Sequence, residues 1–180
     1  MEILTPRLLL RPLNAQDGQD IARATDESWE DLSRWMRWAT DRSERTDVGN
    51  CTIYAKLCGD KFHSQQDFVF GGFSRNSYNF ILTSRLALLD KAEGSYEFCG
   101  YWCRTSQQNK GYMTEAVQAI IQYAFDNLQA KKLYIRHAAG NQQTRAIMDK
   151  LGFIEETILP GIHKLPNGQM VDEHVLSLSA

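Results

Sequence analysis

No stretch of the chain stays apolar for the ~18 residues that a membrane-spanning helix needs. Basic charge is not in excess either: 20 Lys plus Arg face 22 Asp plus Glu, a formal net charge of −2. That balance is a poor one for gripping nucleic acid or anionic lipid. The four cysteines lack metal-site spacing. Cys99 and Cys103, four apart on an expected strand, would sit ~13 Å apart, beyond the ~4.4–6.8 Å of a disulfide. Cys51 and Cys58, on an expected helix, would be ~10 Å apart. Free thiols, and no metal, are the expectation. The opening MEILTPRLLLRPL carries Glu2, Pro6, Arg7 and Arg11 through its apolar part, unlike a secretory signal, so a cytoplasmic location is expected. Repeats, low-complexity tracts, a long linker, a GxxxxGK[ST] phosphate loop and a GxGxxG dinucleotide loop are all missing.

What is present is 180 residues, 43% of them hydrophobic, about the length and content of one folded domain. Residues 4–13 read as a strand, and 15–40 hold helical stretches in which Trp29, Leu32, Trp35, Met36 and Ala39 recur at spacings of three and four. Ser43 is a candidate cap for a helix to about Leu57. Strands are expected over 67–73, 77–89 and 94–102. The clearest helix starts near Gly111, its stripe running Met113, Ala116, Val117, Ile120, Ile121, Ala124 and Leu128. A strand over 131–139 follows, then a helix from Asn141 to Leu151 that Gly152 can stop in a left-handed cap. A strand over 153–159 and a hairpin turning at Asn167-Gly168 close the chain. The order β-α-α-β-β-β-α-β-α-β-β describes a mixed α/β layer fold.

The most informative stretch is a strand, then TSQQNKGYMTEA, then the amphipathic helix. A helix N-terminus leaves about four backbone N–H groups unpaired and carries partial positive charge, so it attracts an anion. Gly111 keeps side-chain bulk away from a phosphate, Asn109 tolerates a left-handed backbone, and Lys110 adds a full charge. A plain strand-to-helix turn fits the same residues.

QNKGYM at Gln108–Met113 resembles the Q/R-x-x-G-x-G/A pyrophosphate loop of the GCN5-related N-acetyltransferases, the GNAT superfamily. The fuller resemblance is to its RimJ/RimL-like branch of ribosomal-protein N-terminal acetyltransferases. It rests on the TPRLLLRPL opening, the Trp-rich WEDLSRWMRWA, GYW at Gly100–Trp102, KGYMTEA, and GNQQTRAIMDKLGF. It covers most of the chain and is weakest over 41–95. It implies one acetyltransferase domain over 1–180, built on a twisted mixed sheet of about seven strands flanked by about four helices. It further implies acetyl-CoA as donor and direct attack on it by a primary amine, such as a ribosomal or other protein N-terminus. Neither direct nucleic-acid nor membrane contact is expected, and the protein would be a monomer or homodimer.

By the same resemblance the pyrophosphate would lie on the backbone of Gln108, Asn109, Lys110, Gly111, Tyr112 and Met113, with Thr114 adjoining. The pantetheine arm would run along the strand ending at Trp102-Cys103, like an added strand. Asn141 would contact that arm and Thr144 would protonate the departing thiolate; Asn141 also reads as a helix N-cap. Asn109 and Met113 depart from the glycines or alanine common in the loop, and Thr144 from the usual serine. The strand glutamate usual two residues before GYW falls at Phe98, with Glu97 one place off, and a one-residue slip reverses the face unless a bulge intervenes.

An acceptor ammonium must lose a proton, a task for histidine or a raised carboxylate. Glu97, Asp172, Glu173, His163 and His174 are available, Glu97 being the favoured base. Trp35, Trp38 and His174 are candidates for the acceptor groove, though tryptophans are also core residues and His174, like His137, fits a half-buried strand. His63 reads as a loop residue. Two other readings remain: a small-amine acetyltransferase for an aminoglycoside or polyamine, and an idle CoA-binding sensor.

Overall fold

A computed structural model describes all of residues 1–180. Its strands are β1 (Ile3–Leu4), β2 (Leu8–Pro12), β3 (Phe68–Ser74), β4 (Phe80–Asp90), β5 (Ser95–Cys103), β6 (Lys132–Ala138), β7 (Ile154–Lys164) and β8 (Met170–Ser179). The helices are α1 (Gly18–Glu27), α2 (Trp29–Trp35), α3 (Arg42–Arg45), α4 (Val48–His63), α5 (Tyr112–Asn127) and α6 (Gln142–Lys150). All eight strands join one sheet in the order β1-β2-β3-β4-β5-β6-β8-β7. Its pairs are antiparallel except β5 with β6, which is parallel. No helix is long and apolar enough to cross a membrane.

The sheet has apolar side chains on both faces. Leu8, Leu10, Phe70, Leu86, Phe98, Leu133, Ile135 and Leu176 meet the α5 stripe of Met113, Ala116, Val117, Ile120 and Ala124 in the larger core. Leu13, Val69, Phe73 and Phe80 meet Ile21, Ala22 and Ala24 of α1 and Cys51, Ala55 and Cys58 of α4 in the smaller one. With both faces covered, β3 is an unbroken buried run, Phe68–Phe73. The four cysteines are free thiols.

The structure differs from the expectation where side-chain hydrogen bonds or strand irregularities intervene. The strand expected over 4–13 is two strands, because Thr5 Oγ1 accepts from the Leu8 N–H at 2.8 Å and turns the chain. The helix expected from Ser43 is split between α3 and α4, each capped by an aspartate, Asp41 and Asp47. The second runs on to His63, so that histidine ends a helix instead of lying in a loop. Residues 154–164 form one continuous strand, irregular between Leu159 and His163, rather than two. Gly152 ends α6 with φ +83° as expected.

Two arginines of the opening segment tie the fold together. Arg11 pairs with Asp17 at 2.6 Å and stacks on Phe73. Arg7 donates to Glu115 at 2.7 Å and to the Lys110 carbonyl at 2.8 Å, and its guanidinium covers the Tyr112 ring. The first strands thereby hold the start of α5 in place.

Candidate active site

The site begins where two neighbouring strands separate. β5 and β6 pair from Ser95↔Lys132 to Phe98↔Ile135 and no further. Beyond that point Gly100–Cys103 stay bonded only to β4, and Arg136–Ala138 only to β8. The parted strands line a cleft of about 680 Å³, walled also by residues of α2, α4, α6, β7 and β8.

A β-bulge decides which β5 side chains enter it. Leu86 pairs with Phe98 and Arg85 with Gly100, leaving Cys99 as an extra residue. Alternation therefore reverses at Cys99. Phe98, Tyr101 and Cys103 pack toward the larger core, whereas Trp102 packs on Phe80 in the smaller one. Glu97, opposite in parity to Phe98, thus shares a face with Trp102 despite its odd position in the sequence, and both line the cleft.

Glu97 is not alone there. Its carboxylate lies 3.2 Å from the Arg136 guanidinium, which is also 3.5 Å from Glu173. Glu173 in turn meets His163 Nδ1 at 2.7 Å. Two carboxylates around one guanidinium leave this corner net negative, a favourable setting for an ammonium group.

Across the cleft, Asn141 caps α6 by accepting the Thr144 N–H at 3.1 Å. Only the carboxamide oxygen is used, so the amide nitrogen remains free to donate. The Tyr101 hydroxyl is buried without a hydrogen-bond partner, although it faces Thr144. Burial pushes its pKa well above the ordinary phenol value, with Thr144 opposing weakly. Burial likewise raises the Cys103 thiol to about 12 and raises Cys99. Both shifts disfavour the thiolate.

The loop before α5 has the geometry of an anion cradle. Asn109 and Gly111 take φ +59° and +81°. No side chain caps the helix, and its first backbone bond is Glu115 N–H to the Gly111 carbonyl at 3.1 Å. The N–H groups of Tyr112, Met113 and Thr114 are therefore unpaired within the helix. Lys110 is less available than its charge implies, because its ammonium binds the Ser106 carbonyl at 2.8 Å and Gln107 at 3.1 Å. Gln108 braces the loop against Asp31 and the Cys103 carbonyl. Met113 is buried in the core. The loop is not itself part of the cleft wall; Trp102-Cys103 connect the two regions along β5.

Trp35 and Trp38 both line the cleft, Trp38 with 36% of its surface exposed. Trp35 reaches over Gly140, just ahead of the Asn141 cap. Tyr54 and Leu57 of α4 extend this aromatic and apolar mouth. His174 does not belong to the groove. It has the parity of Leu176, on the α6 side of β8, where it stacks on His137 and bonds Glu155 at 2.7 Å. Arg136, Tyr101 and Tyr54 were not singled out from the sequence. Tyr101 could have been, as the middle of GYW, but Arg136 and Tyr54 carry no local signal.

The family model described as Acetyltransferase (GNAT) domain matches residues 7–154. A Bacillus subtilis protein named as a ribosomal N-acetyltransferase, YdaF, is 26% identical over 151 residues, covering 83% of this chain and 79% of its own. The ribosomal-protein-S5-alanine acetyltransferase of Vibrio fischeri superposes with a TM-score of 0.88 at 18% identity, over 99% of this chain and 96% of that one. RimL, a ribosomal L7/L12 alpha-N-protein acetyltransferase in complex with coenzyme A, gives 0.87 at 16% identity, over 99% and 98%. At these identities the two structures speak for the fold.

Proposed function

The chain belongs to the GNAT acetyltransferase family and is an acyltransferase; from that premise we propose that it moves an acetyl group from acetyl-CoA to the N-terminal amine of a protein or peptide. The observation that carries this reading is the parting of β5 from β6. It leaves two strand edges with free backbone groups, on which an extended amide-bearing arm can add like a strand. The arm would pass Trp102 and Cys103, and its pyrophosphate would meet the unpaired N–H groups at the start of α5. Asn141 would donate to the arm, and Thr144 would supply a proton to the departing sulfur. We read residues 1–180 as one acetyltransferase domain.

Transfer would be direct. An acetyl-cysteine intermediate needs a thiolate, and the buried surroundings of the Cys103 thiol oppose one there. The amine would enter from the side of Trp35, Trp38 and Tyr54, where the mouth is open and aromatic. That shape suits the side chains of a peptide, and the negative corner beyond it suits the terminal ammonium. The test is calorimetry with acetyl-CoA, followed by thiol release over peptides, polyamines and aminoglycosides. Micromolar donor binding with release on peptides supports the reading. Release on polyamines or aminoglycosides alone overturns the acceptor, and binding without release on any amine makes the protein a CoA sensor.

A further inference from the structure

We propose that His163 is a catalytic residue that takes the proton from the acceptor ammonium, with Glu173 as its positioning residue; this rests on the transferase reading above. The argument starts from β7. Leu159 pairs with Glu173 and His163 pairs with Val171, so three residues, 160–162, stand opposite Asp172 alone. Without those two extra residues His163 would lie level with Gln169, about two residues or ~7 Å further along the strand. The excursion is built by Pro160-Gly161. Gly161 takes φ +62°, open to glycine at little cost, and donates its N–H to Asp172 Oδ1 at 2.8 Å. Bulges of this kind re-aim side chains beside active sites. Here the result is a half-buried imidazole in the cleft wall, diagonal to Glu173 across the ladder.

The contact at 2.7 Å between His163 Nδ1 and Glu173 Oε2 fixes the ring's role. A carboxylate accepts a proton's hydrogen bond at Nδ1, which leaves the lone pair of the neutral ring on Nε2. The competing groups are committed elsewhere. Glu97 is ion-paired with Arg136. His137 Nε2 is sealed from solvent, and its Nδ1 lies against the Ala138 carbonyl. His174 is engaged by Glu155 on the far face, and His63 ends α4 away from the cleft wall.

The step balances without a further reactant. Nε2 accepts one proton from R–NH3⁺, and the freed lone pair forms the C–N bond at the thioester carbonyl. The C–S bond then breaks, and the proton lost by nitrogen as the amide forms neutralises the departing thiolate. The imidazolium returns its proton to solvent.

The test uses the full chain with saturating acetyl-CoA and the best acceptor from the amine screen. His163→Ala should lower kcat by roughly 10²–10⁴-fold, the range for one acid–base group, with donor Kd unchanged. Free imidazole should restore part of that rate. Glu173→Gln, which loosens the hold on the Nδ1–H tautomer, should lower kcat by less than His163→Ala with the acetyl-CoA KM unaltered, and Glu97→Gln should also cost less than His163→Ala. An active wild type whose His163→Ala variant keeps its rate, or loses it beyond rescue while Glu97→Gln loses more, overturns the inference alone. A wild type that transfers to no amine overturns the transferase reading and this step with it.

Discussion

The two halves of the proposed site, the loop before α5 with the strand edge leading to it and the cleft wall opposite, are built by different means. The proposed donor half is continuous in sequence from Tyr101 through the 108–113 loop into α5, with the α6 cap following after β6. Its working groups are largely backbone N–H groups and strand edges. The proposed acceptor half gathers α2, α4, the end of β6, the bend of β7 and β8. Its working groups are side chains from positions as far apart as Trp35 and Glu173. A backbone site tolerates exchange of most side chains but depends on one or two dihedrals. A side-chain site depends on register, which two strand irregularities set here.

The sharpest way to break that comparison is at Gly111. Its φ of +81° makes any side chain cost about 1–2 kcal/mol of strain, and a Cβ would already touch Arg7 at 3.4 Å. Gly111→Ala carries that strain alone; Gly111→Glu adds a carboxylate where the phosphates would lie. Acetyl-CoA affinity in calorimetry should fall by roughly 100-fold or more for glutamate, about 2.8 kcal/mol at 1.4 kcal/mol per tenfold. Lys110→Ala should change it by only a few-fold, because the ammonium is already folded onto Ser106 and Gln107. Equal, small losses for Gly111→Glu and Lys110→Ala would remove the loop from the donor site.

The same division explains what the sequence could disclose. The loop, the α5 stripe, the Asn141 cap and the Gly152 stop are local patterns, each readable within about four residues. The face occupied by Glu97 is not local: it turns on one extra residue at Cys99 that alternation alone cannot reveal. Of the two readings open for His174, the structure gives the half-buried strand histidine, because its parity with Leu176 turns it to the α6 side and not into the groove. For His163 the clue was present in Pro160-Gly161, an unusual pair inside a strand.

An intermediate effect should appear where the halves meet. Thr144 gives its backbone N–H to the Asn141 cap, not its hydroxyl. Thr144→Ala should therefore keep the melting temperature and donor affinity nearly unchanged while lowering kcat by up to ~10²-fold, and Thr144→Ser should retain most of the rate. Tyr101→Phe is the companion variant, since that phenol is buried, unpartnered and adjacent. A larger kcat loss at Tyr101 than at Thr144 would transfer the thiolate's proton donor to the phenol. Loss of stability without loss of turnover in Thr144→Ala would leave Thr144 as a helix residue only.

The smallest effect concerns how the opening segment holds the donor loop. Burial alone would raise the Glu115 carboxyl. Hydrogen bonds from the Thr5 hydroxyl, the Arg7 N–H and the Arg7 guanidinium outweigh it and hold the group below its ordinary value. A carboxyl that titrates lower in the folded chain stabilises fully above its unfolded value, about 4.3. That contribution is lost as the pH falls through the folded value. Glu115→Gln should cost about 1.5–3 kcal/mol near neutrality, the range for hydrogen bonds to a charged group. The gap from wild type should narrow as denaturation is repeated at progressively lower pH below 4.3, because the wild type alone has this carboxylate to protonate. Acetyl-CoA affinity at pH 7 should fall only slightly, since Arg7 keeps its bond to the Lys110 carbonyl. A gap that stays constant with pH would mean that Glu115 acts by packing, and that the ionic clamp between the first strands and α5 contributes nothing.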